Sequence, residues 1–88
     1  MPASDLITLP NLGKTSVQWL RATGIHNADD LRRLGPVAAY CAVRARGFRA
    51  SRTLLFAIAG ALQNIHWNQL DPEYKQQLLQ QLDAFQQR

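Results

Sequence analysis

The pair of segments Leu9-Pro10-Asn11-Leu12-Gly13-Lys14-Thr15-Ser16 and Gly24-Ile25-His26-Asn27-Ala28-Asp29-Asp30-Leu31 constrains this chain more than anything else in it. The turn through Asn11 to Gly13 predicts the start of a short helix from Lys14 to about Thr23, with Val17, Trp19 and Leu20 facing inward. Gly24, eleven residues after Gly13, is placed to end that helix in the left-handed conformation. Asn27 is a helix cap, and Asp29 and Asp30 sit in the first turn, where negative charge is favoured, so a second short helix follows over Ala28 to Leu34. Two short helices joined by tight turns leave little freedom for anything but a helical domain.

The rest of the chain agrees. Gly35 ends the second helix, and Pro36 suits the first turn of a third, which runs to about Arg46 and buries Val37, Tyr40 and Cys41 beside Ala38, Ala42 and Ala45. Gly47 closes it. Ser51 is a candidate cap for a fourth helix whose Leu54, Leu55, Ile58, Leu62 and Ile65 recur at spacings of three and four. Gly60 inside that helix, among small neighbours, predicts another helix packed very close to it, because an interior Gly costs about 1 kcal/mol relative to Ala. Asp71-Pro72-Glu73 opens a last helix with Tyr74, Leu78, Leu82 and Phe85 as its stripe. No segment alternates in the manner of a strand. The expectation is therefore an all-α, compact five-helix domain containing a helix-hairpin-helix-like unit: a single domain over 1–88, with 1–8 as lead-in, 9–34 as the hairpin unit and 36–87 as three further helices.

Charge is unevenly spread along the chain. The net charge is +4, yet between Lys14 and Arg52 eight basic residues stand against Asp29 and Asp30 alone. A local positive field of this kind selects polyanions, of which nucleic acid is the commonest, although it also serves simply to keep a surface soluble. The single cysteine, Cys41, excludes an internal disulfide and fits a cytoplasmic protein. The start of the chain has no basic segment leading into an apolar run, and the longest apolar stretch, Leu54 to Leu62, is too short for a bilayer, so no membrane partner is expected.

Two segments are candidate nucleic-acid-binding sites. Leu12, Gly13, Lys14, Thr15 and Ser16 form a helix start whose free backbone N–H groups can cradle a phosphate, with Gly13 allowing close approach and Lys14 and Ser16 adding donors. The same turn reads equally as a well-capped helical hairpin without a ligand. Arg44, Arg46, Arg49 and Arg52 flank the end of the third helix and the start of the fourth. Arg44 and Arg46 suit a helix C-terminus on their own account, whereas Arg49 and Arg52 sit at a helix start, where positive charge is unfavourable. That makes the second pair the better sign of an anionic partner. Phe48, between them, either lies on a base or plugs the core, and the core is favoured.

No catalytic or metal constellation can be assembled. His26 and His66 lie forty residues apart with no ligand spacing, Cys41 reads as a buried, inert thiol, and Asp29 and Asp30 are adjacent and so project to different sides of a helix. No enzyme, cofactor or metal is expected.

At Leu9 to Leu34, and again at Gly60-Ala61-Leu62-Gln63-Asn64-Ile65-His66-Trp67-Asn68-Gln69-Leu70, the chain resembles the C-terminal domain of the TfoX/Sxy competence regulators, over about residues 7–83. The Asn11-Leu12-Gly13-Lys14 turn, Trp19-Leu20, Gly24-Ile25-His26 and the Asp30 to Gly35 helix end are its most specific parts. The turn at Asn11 to Ser16 is also similar, over a shorter stretch, to the helix-hairpin-helix in the C-terminal domain of the alpha subunit of RNA polymerase. The TfoX resemblance implies a helical domain in proteins that promote expression of DNA-uptake genes together with the cAMP receptor protein. Longer members carry a separate N-terminal domain ahead of this one.

Two functions follow as expectations. One is a DNA-binding or transcription-regulatory module related to natural competence, holding double-stranded DNA by its backbone, largely without reading sequence. The alternative is a protein-protein adaptor that contacts polymerase or another regulator through an exposed apolar patch including Trp19, Tyr74 or Phe85.

Overall fold

Five helices account for the regular structure: α1 (Lys14–Ala22), α2 (Ala28–Leu34), α3 (Pro36–Ala45), α4 (Arg52–Leu62) and α5 (Pro72–Gln86), with 3-10 turns at Leu6–Thr8 and Trp67–Gln69. The computed structural model describes residues 6–86 of the chain. All-α architecture is thus the observed class, and the radius of gyration, 12.1 Å, is that of a close-packed domain of this length.

Local chemistry explains the helix boundaries. At the end of α1 the N–H of Gly24 bonds the Arg21 carbonyl at 3.0 Å and that of Ile25 the Leu20 carbonyl at 2.9 Å, a closure that needs the positive φ of 93° at Gly24. At the start of α2 the Asn27 side chain accepts from the Asp30 N–H at 2.8 Å while the Asp30 carboxylate accepts from the His26 N–H at 3.2 Å, a reciprocal cap. Asp71 accepts from the Glu73 N–H at 3.0 Å and so caps α5. Ser51 occupies the cap position of α4, but its side chain makes no cap bond.

α4 is the central element. Leu54, Leu55, Ala57, Ile58, Ala59, Gly60 and Ala61 are all buried, as a helix apolar on every side must be. It packs on α3, α2 and the 67–69 turn, while α5, whose Leu78 and Leu82 are buried, lies against α3. α3 buries Val37, Ala39, Tyr40 and Val43, leaving Cys41 half-buried and Ala45 exposed. The helix register therefore lies slightly round from the one expected. α1 ends at Ala22 and α4 at Leu62, so Ile65 belongs to the link and not to the helix. Leu6, in the segment read as a mere lead-in, is fully buried in the core.

Gly60 is close-packed, as expected, but not against a helix. A Cβ built there would lie 2.7 Å from the Asn11 Nδ2, 3.0 Å from the Ile65 carbonyl oxygen and 3.1 Å from the Trp67 Cα. The space a side chain would take is filled by the Asn11 amide and the link after α4. Asn11 holds a positive φ of 70°, which Asn tolerates better than most residues. Its Nδ2 donates to the Ile65 carbonyl at 2.9 Å and the Ala57 carbonyl at 3.3 Å, and its Oδ1 accepts from the Trp67 N–H at 3.2 Å. One side chain thus ties the turn before α1 to the body and exit of α4.

Asn11→Ala is expected to destabilise the domain by about 2–4 kcal/mol, because it strips partners from two carbonyls and one N–H at once. Urea unfolding followed by circular dichroism measures this.

Candidate functional site

The turn before α1, the α3–α4 link and the 67–69 turn meet around a cleft of about 280 Å³, lined by Asn11, Ser16, Trp19, Arg49, Ser51, Thr53, Leu54, Ala57 and Trp67. Ser16 comes from the first predicted segment and Arg49 from the second, so the fold brings the two together. No carboxylate lines this cleft.

Both helices that open onto it start in the same manner. At α1, Gly13 is the cap residue, with extended backbone and no side-chain cap bond, and the first turn holds no acid. At α4, Ser51 makes no cap bond and the first turn again holds no acid. Helices α2 and α5, none of whose residues line the cleft, instead have Asn27 or Asp71 as caps and Asp29, Asp30 or Glu73 in the first turn, while α3 starts at Gly35 with Pro36 in its first turn and, like α1 and α4, without a side-chain cap or an acid. The starts of α1 and α4 thus keep their positive dipole ends and backbone N–H groups unneutralised.

The individual residues divide by role. Leu12 is 5% exposed, its side chain part of the core, so only its backbone can reach a ligand. Gly13 faces open space, and Lys14 and Thr15 are exposed. Lys14 does not join Ser16 in the cleft. Two residues apart on a helix, they point to nearly opposite sides, and Lys14 lines a second groove with Ile7, Val17, Gln18 and Arg21. Arg44 is engaged within the fold: its Nη1 donates to the Ala50 carbonyl at 2.7 Å, alongside the Tyr40 hydroxyl at 3.2 Å. Arg46, Arg49 and Arg52 are exposed and have no ion pair among the described residues. Arg32 and Arg33 differ, for Arg32 pairs with Asp29 at 3.4 Å and Arg33 with Asp30.

Sequence reasoning missed both indoles at this site. Trp19, expected to face inward, is half-buried and stacks on Phe48 with ring centres 5.5 Å apart and planes 15° from parallel. Phe48 itself packs against the core. Trp67 borders the cleft, with the Lys75 ammonium 5.6 Å from its ring centre. The signal that could have found Trp19 is its position one helical turn from Ser16.

Cys41 is half-buried rather than buried. Burial pushes its thiol up from the usual range, against an opposing pull from Arg44. Among the described residues no group of three or more His, Cys, Asp or Glu stands close enough to hold a metal ion, and no helix is long and apolar enough to cross a membrane.

The domain is thus all-α, with two uncapped helix starts and one arginine, Arg49, without an ion pair among the described residues at the cleft. The description of the TfoX C-terminal domain family matches residues 2–82, and the chain belongs to that family. Two solved structures are similar to it, both from Listeria monocytogenes. One, of an uncharacterized protein in a triclinic crystal form, is 29% identical with a TM-score of 0.85, covering 94% of each chain. The other, of a protein of unknown function in a tetragonal form, is 32% identical with a TM-score of 0.80, covering 85% of this chain and 93% of that one. No curated protein matches.

These placements separate the arginines by experiment. Arg44→Ala should lower stability by about 0.5–1.5 kcal/mol, the usual net value of a hydrogen bond, whereas Arg46→Ala, Arg49→Ala and Arg52→Ala should each stay within about 0.5 kcal/mol, as measured by chemical unfolding. Alkylation of Cys41 should be slower at neutral pH than that of a free thiol and should rise only at more alkaline pH, because the raised pKa leaves less thiolate, the reactive form.

Proposed function

We propose that this domain is a non-enzymatic, nucleic-acid-binding module of transcription regulation, related to the control of natural competence, that holds the phosphate backbone of double-stranded DNA. The observation that carries this reading is the pair of uncapped, acid-free helix starts at α1 and α4, with Arg49 beside them and Arg46 and Arg52 unpaired nearby. Phosphate oxygens complement such helix starts, and arginine forks add charge-assisted bonds at about 1.5–3 kcal/mol each. Contacts of this kind position a duplex without reading its bases. Membership of the TfoX C-terminal domain family supports the regulatory part. Sequence choice then falls to a partner such as the cAMP receptor protein or RNA polymerase.

A second reading has one observation in its favour. Phe85, near the end of α5, is 46% exposed, and an exposed aromatic ring suits contact with another protein. Trp19 and Tyr74, the other residues of the expected patch, are only half-exposed. An adaptor of this type would bind its partner with little dependence on salt.

Fluorescence anisotropy with a short random-sequence duplex across a salt series separates the two. DNA binding is expected to weaken steeply with salt, and the Lys14→Ala, Arg49→Ala double variant to flatten the log-log slope by about 0.9 for each phosphate it no longer neutralises. Affinity and slope unchanged in the variant would contradict the phosphate assignment.

A further inference from the structure

The geometry points to a more specific use of the cleft: it seats one unpaired nucleobase, stacked on Trp19, with an adjoining phosphate on Arg49. This rests on the reading of the domain as a binder of nucleic-acid phosphates and departs from it in one respect: a single strand replaces the duplex as the preferred ligand.

Three observations support it. At about 280 Å³ the cleft lies at the lower edge of the size range of small-ligand pockets, suited to one planar group rather than a larger molecule. Trp19 is on its wall, while Phe48, which stacks on that indole at 5.5 Å, is not among the lining residues. Phe48 therefore backs the ring and fixes its plane, leaving the remainder of the indole toward the cleft. A ring held in this way accepts a base without first losing its own rotational freedom. The polar lining is also selective, since Arg49, Ser16, Ser51 and Thr53 supply one positive charge and three hydroxyls, with no carboxylate. An anionic group that carries an aromatic ring fits this combination, and an acid-lined pocket would have rejected it.

Single-stranded nucleic acid supplies both parts on consecutive atoms of one strand. Stacking of a base on an aromatic side chain tolerates any sequence, because every base has a π face, and an arginine beside it tracks the backbone. In a duplex the bases are stacked on each other and cannot enter, so only the phosphate contacts remain.

Trp19 and Trp67 are the only tryptophans in the chain, so Trp67→Phe leaves Trp19 as the sole indole reporter; because Trp67 also lines the cleft, the wild-type protein is titrated alongside to measure affinity in the unaltered site. This variant is titrated with a short oligothymidylate and with a blunt duplex of equal length, following anisotropy of the labelled DNA and indole emission together. The expected result is saturable quenching of Trp19 by the single strand and not by the duplex, with affinity for the single strand roughly tenfold higher. Arg49→Ala should weaken single-strand binding while leaving the fold intact. If Trp67→Phe fails to fold, the indole N–H resonances of the wild-type protein in a nitrogen-correlated NMR spectrum give the same readout, with the Trp19 signal expected to shift. Binding of both DNAs with Trp19 unperturbed, or with equal affinity, overturns the base-seating proposal and leaves phosphate binding standing. Binding of neither DNA at low salt overturns both.

Discussion

The Asn11 amide, seated in the space a side chain at Gly60 would occupy, is the contact on which the arrangement of this domain depends. Its three hydrogen bonds reach 46 to 56 residues along the chain, to Ala57, Ile65 and Trp67. The geometry has no slack, because the nearest atom to a Cβ at Gly60 is the Asn11 Nδ2 itself. Only a residue that tolerates positive φ and carries a donor and an acceptor on a short side chain can serve at position 11. Only glycine leaves room opposite. The latch fixes the turn before α1 against α4, and so determines how far apart Ser16, Arg49 and Trp67 lie across the cleft.

The electrostatics of the site follow from where acids are absent. Asp29 and Asp30 lie at the start of α2, where they serve the dipole and pair with Arg32 and Arg33. Asp71 and Glu73 do comparable work at α5. The starts of α1 and α4 have neither acid nor side-chain cap, which leaves N–H groups unpaired within their helices, at some cost to stability. Such helix starts are weaker elements of the fold than they could be, and are better suited to an anion for the same reason. Arg44 makes the converse point. Although part of the same basic run, it closes the link between α3 and α4 by donating to Ala50. Of four arginines close in sequence, one is thus engaged within the fold while Arg46, Arg49 and Arg52 stay exposed.

Much of the fold was legible in the sequence because it rests on local rules. Asn27, Asp71, Pro36 and Gly24 mark helix ends through chemistry confined to a few residues, and the structure places them as those rules predict. The latch was not legible in the same way. Asn11 looked like an ordinary turn residue, and Gly60 announced a close neighbour without saying which, since a glycine records only that space is taken. Leu6 escaped notice because a single apolar residue near a terminus has no periodicity to reveal it. At the site, helix position set Arg44 and Arg46 apart from Arg49 and Arg52, but it could not show that Arg44 donates to a carbonyl or that Arg49 lines the cleft. Nor could it show that Ser16 faces that cleft, although the two-residue spacing alone sets Lys14 on nearly the opposite side of α1. Both cleft positions depend on how helices are placed in space, which residue spacing does not encode.

The most direct test of this account is a double-mutant cycle on the latch, with urea unfolding of Gly60→Ala, Asn11→Ala and the double variant. Helix propensity alone would make Gly60→Ala stabilising by about 1 kcal/mol. The latch predicts the opposite sign, since the new methyl meets the Asn11 amide and two backbone atoms that the amide holds in place. It also predicts that the double variant loses less than the sum of the single losses, by about 1 kcal/mol or more, because removing Asn11 frees the space and releases the link. A stabilising Gly60→Ala, or losses that simply add, would contradict the claim that these two residues form one interlocked contact.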